Sequence, residues 1–330
     1  MSQPVLSIRN LRVEFPNRHG TLVAVSDVSF DIARGEVLGV VGESGAGKSL
    51  TGSAIIGLLE PPGRIAGGEV WLDGSRIDQL SPEAMRRIRG KRIGMVFQDP
   101  LTSLNPLNRI GDQLVETIEV HTNYRGVHAR RRAVALLTEV GLPAAAERVD
   151  NYPHQFSGGM RQRVVVALAL AADPELVIAD EPTTALDVSV QAQIIALLKR
   201  LCRERGTAIM LITHDMGVIA EVADRVAVMY AGRIVEIGAV NDVITRPLHP
   251  YSVGLMNSIP RLNSDVESLT QIFGSMPTPA SIPSGCAFHP RCQRVFTPCA
   301  KKRPELVTRG PSQVACWLYD DVPAAAEVAK

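Results

Sequence analysis

Eight residues in the first sixth of the chain form the pattern expected of a loop that binds phosphate groups. Residues 42–49 read Gly-Glu-Ser-Gly-Ala-Gly-Lys-Ser and fit G-x-x-x-x-G-K-[ST]. Glycines let successive backbone N–H groups turn toward an anion, and a helix beginning after the loop adds positive potential. The lysine is expected to bind the outer phosphates and the last serine Mg²⁺. The pattern therefore predicts a nucleotide site that uses Gly42, Ser44, Gly45, Gly47, Lys48 and Ser49.

Two adjacent acids far downstream could complete this chemistry. Asp180 and Glu181 directly follow the apolar residues 176–179, which are typical of a buried strand. Asp180 is expected to hold Mg²⁺, through water, and Glu181 to orient or activate the water that attacks a phosphoryl group. Paired acids at a strand end can also cap a helix, but the phosphate-loop pattern upstream favours the catalytic interpretation.

The residues around these motifs predict the elements that position them. Alternating apolar residues predict two antiparallel strands within residues 6–15 and 23–32, and residues 37–41 predict a buried strand that leads into the phosphate loop. Alternation of strand and helix resumes in the second half and indicates a mainly parallel sheet. The stretch from 99 to 163 between these parts is mostly helical in pattern, so we expect an inserted helical subdomain. The remaining predicted elements are helices within 111–120, 129–140 and 191–203 and strands at 176–179 and 208–213.

Composition narrows the functional classes. The 330 residues include 35 basic and 34 acidic side chains, a net charge of +1 that does not indicate nucleic-acid binding by bulk charge. The longest apolar run near the middle, residues 164–172, is far shorter than the roughly 20 residues that a membrane helix needs. The first ten residues lack the pattern of a signal peptide. We expect the chain to stay in the cytoplasm.

The last fifth of the chain has a different character. Prolines become frequent, apolar periodicity fades, and four of the five cysteines lie there, at 286, 292, 299 and 316. Clustered thiols in a reducing compartment indicate metal or cofactor binding rather than disulfides. Their chemistry permits Zn²⁺ or an iron–sulfur cluster, and the lack of a Cys-x-x-Cys pair favours the cluster. We predict a boundary near residue 255, with one domain at 1–255 and an extension at 256–330.

Further motifs resemble the ABC ATPase family over roughly residues 5–250. Residues 156–160, Phe-Ser-Gly-Gly-Met, resemble the family signature, although most members have glutamine where Met160 stands. The resemblance implies that Ser157, Gly158 and Gly159 bind the γ-phosphate of an ATP held by the opposite subunit of a head-to-tail dimer. It also implies that Asp187, at the end of the Ala-Leu-Asp loop, lies at the dimer interface.

Three more residues match motifs of the family one by one. Gln98 resembles the glutamine that joins core and helical insert, and His214 in Thr-His-Asp resembles the switch histidine at the γ-phosphate. Phe15 occupies the place of the aromatic residue that stacks on adenine; a core phenylalanine is the alternative. The implied catalytic residues are Glu181, His214 and Gln98, and the implied Mg²⁺ ligands are Ser49, Gln98 and Asp180. The implied fold is an α/β P-loop NTPase core with a mainly parallel sheet, an N-terminal antiparallel β subdomain, the helical insert at 99–163 and a small irregular cysteine-rich extension.

A narrower resemblance, to the ATPases of dipeptide and oligopeptide importers, is carried by residues 98–106, 246–251 and 285–292. It implies a 4Fe–4S cluster on Cys286, Cys292, Cys299 and Cys316, in addition to ATP and Mg²⁺. It also implies a second, related ATPase, two permease subunits and an extracytoplasmic solute-binding protein as partners at the cytoplasmic face of the inner membrane. Nickel, glutathione or another small solute stays open as cargo. A soluble ABC ATPase acting on ribosomes or DNA is the alternative from another class, with nothing in the charge to favour it.

Overall fold

A computed structural model describes residues 3–18, 20–184, 186–258 and 272–319, and two sheets organise this part of the chain. The smaller sheet is antiparallel and consists of β1 (Leu6–Asn17), β2 (Gly20–Ile32), β4 (Arg64–Leu72) and β5 (Ser75–Arg76). The larger consists of β3 (Val37–Val41), β6 (Ile93–Val96), β7 (Leu176–Asp180), β8 (Ala208–Ile212), β9 (Arg225–Tyr230), β10 (Arg233–Ala239), β11 (Val307–Arg309) and β12 (Ser312–Val314). Their orders are β2-β1-β4-β5 and β11-β12-β10-β9-β3-β8-β7-β6.

The smaller sheet follows from the alternation of apolar residues along its first two strands. The buried side chains of β1 pair with buried ones of β2, for example Leu6 with Ile32 and Val13 with Val25. One face is thereby apolar and packs on the larger sheet. The two predicted antiparallel strands are confirmed, and β4 and β5 extend the sheet on the other side of β1.

The larger sheet is parallel at its centre, where β9, β3, β8, β7 and β6 lie side by side. Alternate residues of β7 point to opposite faces: Ile178 joins the core under the small sheet, whereas Val177 and Ala179 join the core under the helices. Both faces of the sheet are covered, and the sequences of these strands are therefore continuously apolar rather than alternating between apolar and polar residues. The mainly parallel sheet expected from the sequence is confirmed.

Helices cover the second face of the sheet and build the insert. A run of helices connects the neighbouring parallel strands β6 and β7, and the two helices predicted there are confirmed as Ile110–His121 and Gly126–Glu139, which pack against each other; the insert at 99–163 as a separate subdomain stays a prediction. None of the described helices is long and apolar enough to cross a lipid bilayer. The helices are α1 (Lys48–Ile55), α2 (Pro82–Ile88), α3 (Pro100–Ser103), α4 (Ile110–His121), α5 (Gly126–Glu139), α6 (Ala145–Arg148), α7 (Gly158–Ala169), α8 (Val188–Arg205), α9 (Met216–Val222), α10 (Val240–Thr245) and α11 (Pro250–Asn257).

The described part of the cysteine-rich extension consists mostly of turns and short 3-10 helices, as expected, but it is bound firmly to the core. β12 pairs with β10, with Glu236 opposite Val314 and Gly238 opposite Ser312. Phe288 is buried and packs with its ring edge-on against Tyr230 of β9, at a centroid distance of 5.2 Å. The larger sheet therefore crosses the boundary predicted near residue 255, and that boundary stays a prediction.

Candidate functional site

The phosphate-loop residues lie between the end of β3 and the start of α1, as the pattern requires. The loop is shaped by positions that only glycine tolerates. Gly42 has a φ of 151°, and a β-carbon there would lie 2.3 Å from the backbone oxygen of Met229. Gly47 has a φ of 97° and immediately precedes α1. The loop backbone is thereby held close to β9, in the left-handed conformation that lets a phosphate loop turn N–H groups toward an anion.

Lys48 is buried and folded back onto the loop. Its Nζ donates to the backbone oxygen of Gly42 at 2.8 Å and to that of Glu43 at 3.0 Å. Burial lowers the pKa of Lys48, and the charges of Glu181, Asp180 and Glu43 oppose that shift. The ammonium group is thus placed among carboxylates at the mouth of the loop, where incoming phosphate oxygens would replace the two carbonyl partners.

The first of the paired acids lies directly against the loop. Ser49 Oγ donates to Asp180 Oδ1 at 2.9 Å, although the two residues are 131 positions apart in the chain. Burial raises the pKa of Asp180, and the hydrogen bond from Ser49 and the charge of Lys48 oppose that shift. A hydroxyl and a buried carboxylate meeting at the start of a helix are oxygen ligands of the kind that Mg²⁺ prefers.

The second acid is surrounded by three polar side chains. Glu181 accepts from Gln98 Nε2 at 3.2 Å and from Thr184 Oγ1 at 2.9 Å, and its Oε1 lies 3.3 Å from His214 Nδ1. Glu181 also has a φ of 46°, a left-handed backbone that costs a non-glycine residue energy and is frequent at active sites. The segments that follow the three neighbouring strands β6, β7 and β8 thus bring together the residues predicted to be catalytic, in a constellation that can hold a water molecule.

The signature residues and Asp187 form a second group on other helices. Ser157 caps α7, its Oγ accepting from the Met160 N–H at 3.4 Å, and Asp187 caps α8, accepting from the Val190 N–H at 2.9 Å. A β-carbon on Gly159 would lie 2.5 Å from Val190 Cγ1, so the two helix N-termini lie side by side. Ala185 lies outside the described residues. Two adjacent helix N-termini make a surface suited to an anion.

Phe15 is half-buried at the end of β1. A β-carbon on Gly63 would lie 2.7 Å from Cε1 of its ring, so the ring packs closely against the backbone there. The ring also contacts the core under the small sheet. The structure therefore gives Phe15 the packing expected of a partly buried core residue, and stacking on adenine stays a prediction.

Three residues of the C-terminal part contact the phosphate loop and were missed as site residues in the sequence. Tyr251 Oη accepts from the Glu43 N–H at 2.8 Å, and Arg291 Nη1 donates to the two carboxylate oxygens of Glu43 at 3.1 and 3.2 Å. Met276 lies 4.0 Å from the position of a β-carbon on Gly45. Tyr251 and Arg291 belong to motifs that carry the importer resemblance, but nothing in their spacing points to a loop more than 200 residues away.

The four clustered thiols line one small cavity together with Phe288, Phe296 and Trp317. Burial raises the pKa of Cys286 and Cys292, and that of Cys316 to about 11, so these three thiols are neutral at pH 7. The cavity holds only about 20 Å³, and no three His, Cys, Asp or Glu side chains in the described ranges are spaced to hold a metal ion. The donor set suits iron or zinc, but its spacing in this structure does not.

The chain is similar in sequence to known protein families and to characterised proteins. Residues 25–184 match the ABC transporter family, and residues 235–299 match the C-terminal region of oligopeptide and dipeptide transporters. The chain is 48% identical to the dipeptide transport ATP-binding protein DppD of Bacillus subtilis, over 96% of each chain. It is also 48% identical to the oligopeptide transport ATP-binding protein OppD of Escherichia coli, over 91% of this chain and 89% of that one.

A solved structure of an ATP-binding cassette is also similar to this chain. The ATP-binding cassette MJ0796, in a dimeric post-hydrolysis state bound to ADP and Pi, superposes with a TM-score of 0.64 at 29% identity, over 71% of this chain and 98% of that one. The relatives, the family matches and the fold agree. The chain belongs to the ABC transporter ATPases, in the family of oligopeptide and dipeptide transport ATP-binding subunits.

Proposed function

We propose that this chain binds ATP and Mg²⁺ through the phosphate loop and hydrolyses ATP to drive the import of dipeptides or oligopeptides. Lys48 binds the outer phosphates, and Ser49, Gln98 and Asp180 hold Mg²⁺. Glu181 takes the proton of the attacking water, while His214 contacts the γ-phosphate. The observation that carries this proposal is the cluster in which Glu181 meets Gln98 and His214 within 3.3 Å, beside the Ser49–Asp180 pair.

A second subunit would complete the site. The signature residues Ser157, Gly158 and Gly159 cap a different helix from the one that follows the phosphate loop, beside Asp187. We infer a head-to-tail dimer in which the α7 N-terminus of one subunit binds the γ-phosphate on the other. The dimeric state of the similar cassette MJ0796 supports this arrangement. The second subunit is either another copy or a related ATPase.

The helical insert is the surface that would dock on membrane partners. It exposes large apolar side chains, with Leu107 82% exposed, Val120 69% and Val127 68%. Exposed apolar side chains of this size are common where one protein contacts another. We propose two permease subunits there, at the cytoplasmic face of the membrane, and a solute-binding protein on the other side. Peptides are favoured over nickel or glutathione as cargo because the similar proteins are named for dipeptide and oligopeptide transport.

Glu181→Gln tests the catalytic part of the proposal. The change keeps the size of the side chain and removes its basicity, so we expect ATP hydrolysis to fall about 10²- to 10⁴-fold while ATP binding persists. Retained ATP would hold the subunits together, which gel filtration with and without MgATP would detect. Glu204→Gln is the matched control, because Glu204 lies in an exposed pair with Arg200 on α8. Near-normal ATP hydrolysis by Glu181→Gln would show that Glu181 does not act on the attacking water.

Purification from solubilised membranes tests the partners and the cargo. A tagged chain is expected to bring down two permease subunits and a second ATPase, and the accompanying solute-binding protein should bind short peptides in titration calorimetry. If the solute-binding protein binds Ni²⁺ or glutathione and does not bind peptides, the proposed peptide cargo is wrong. Recovery of ribosomes or DNA in place of membrane proteins would overturn the transporter assignment of this chain.

We also propose that the four cysteines of the extension hold a 4Fe–4S cluster. Support comes from the convergence of all four thiols on one cavity walled by aromatic side chains. The four thiols would have to move apart on loading because the cavity is small. Cys286, Cys292 and Cys316, whose pKa values are raised by burial, would also have to lose their protons. The cluster, when bound, would cross-link an extension with little core of its own.

Elemental analysis of protein purified without oxygen tests this cluster. We expect iron and sulfide with visible absorption, lost when Cys292 or Cys316 is changed to serine. Cys202→Ser is the matched control, because Cys202 is buried on α8 with its thiol donating to the Thr207 backbone oxygen. One zinc ion per chain with no iron would identify a zinc site instead. If the protein contains neither iron nor zinc, the four cysteines only pack against their neighbours and bind no metal.

A further inference from the structure

Glu43 is an acid placed inside a loop built to bind phosphate. It is the first variable position of the loop pattern, and its charge is among those that act on Lys48. A carboxylate there would repel the phosphates that Lys48 attracts unless another cation offset it. The structure supplies that cation from the far end of the chain.

Arg291 contacts Glu43 across 248 positions of sequence. Its side chain is only 7% exposed, and Nη1 donates to both carboxylate oxygens, at 3.1 and 3.2 Å. Its other N–H groups donate to backbone oxygens 17 and 18 residues earlier in the chain, of Phe273 at 2.8 Å and Gly274 at 3.2 Å. The guanidinium also lies 5.8 Å from the ring centre of Tyr230. Glu43 is thus the carboxylate that balances this buried charge.

We propose that Arg291 is a positioning residue of the ATP site, which neutralises Glu43 so that the phosphate loop can accept a triphosphate. The C-terminal extension thereby sets the affinity of the ATPase for nucleotide. This inference rests on the nucleotide site proposed above.

A charge-balancing role and a purely anchoring role predict opposite results for Glu43→Gln. If Arg291 neutralises Glu43, removal of the carboxylate leaves an uncompensated cation beside the phosphates, and the full-length chain binds ATP at least as tightly as the wild type. If the pair merely ties the extension to the loop, breaking it loosens the loop and weakens ATP binding. Both roles predict a lower melting temperature, so affinity is the quantity that decides.

Arg291→Met supplies the complementary test. We expect the dissociation constant for a non-hydrolysable ATP analogue to rise about tenfold, equivalent to about 1.4 kcal/mol, and to recover to within about threefold in the double variant Arg291→Met/Glu43→Gln. Arg92→Met is the matched control: Arg92 makes a two-bond contact with Glu175, both at 2.8 Å, at the opposite edge of the sheet. It should lower stability and leave ATP affinity unchanged.

The outcomes separate the two proposals. If the wild type does not bind the analogue, or binds it equally well as Lys48→Ala, the nucleotide site itself is wrong. If the wild type binds and Glu43→Gln weakens binding, or the double variant is as weak as Arg291→Met, the charge-balancing role is overturned. If Arg291→Met does not fold, the affinity of Glu43→Gln carries the test.

Discussion

Replacing Gly47 by alanine should reveal how much energy is stored in the shape of the phosphate loop. Gly47 has a φ of 97°, and a β-carbon there would lie 3.2 Å from the backbone oxygen of Ala24 and 3.2 Å from the Cα of Gly232. The left-handed backbone costs an L residue roughly 1–2 kcal/mol. Crowding against backbone atoms that cannot rotate away adds about 1–3 kcal/mol. We expect a total of about 2–5 kcal/mol for Gly47→Ala.

Gly45 offers a control within the same loop. Its φ of 84° is similarly left-handed, but the nearest atom to a β-carbon there is Met276 Cγ at 4.0 Å. Alanine at this position has the same backbone problem and no crowding. Gly45→Ala should therefore cost only about 1–2 kcal/mol.

This energy must appear in one of two measurements. If the loop keeps its shape, it lowers the free energy of unfolding, measured by denaturant titration without nucleotide. If the loop relaxes, it lowers the affinity for a non-hydrolysable ATP analogue, measured by calorimetry. The sum of the two losses should be larger for Gly47→Ala than for Gly45→Ala. Equal sums, or a larger sum for Gly45→Ala, would refute the idea that backbone crowding shapes the loop.

Three further changes probe the surroundings of the site. Tyr251→Phe removes the hydroxyl that accepts from the Glu43 N–H and should lower the free energy of unfolding by about 1–3 kcal/mol; an unchanged denaturation midpoint would contradict this. Burial lowers the pKa of His249 from 6.5 to about 3, so the unfolded chain binds more protons between these values. Stability should fall as the pH drops below about 6.5, by up to about 1.4 kcal/mol per unit from this group, and His249→Asn should show a shallower slope in denaturation at pH 7 and pH 5. Gly94→Ala would place a β-carbon 2.2 Å from the backbone oxygen of Ala169, where α7 crosses β6, and should cost about 1–3 kcal/mol in thermal unfolding; a stability equal to wild type would show that α7 shifts freely.

Much of the fold could be predicted because buried strands and amphipathic helices leave periodic patterns in the sequence. The strand at Val37–Val41 and the helix after Lys48 follow from local sequence alone. The β11–β12 pair could not be predicted this way, because strands of three residues carry no detectable alternation. They form because β10 presents an open edge.

The candidate site divides along the same line. The Ser49–Asp180 contact was predictable, because the loop pattern and the paired acids both follow apolar strands whose ends meet at one edge of a parallel sheet. The contact between Arg291 and Glu43 could not be predicted. The groups that hold the Arg291 side chain in place are backbone oxygens and aromatic rings, and their spacing in the sequence follows no pattern. Tertiary packing alone brings that guanidinium to the loop.

Pairing of β12 with β10 also limits how this ATPase can be shortened. A fragment that stops after α11 would keep the phosphate loop and the paired acids. Its β10 strand would, however, lose the partner strand β12 along Glu236–Gly238 and become an exposed sheet edge. Unsatisfied backbone donors and acceptors along such an edge recruit strands from other molecules. The smallest soluble, monodisperse piece of this protein should accordingly reach at least Val314.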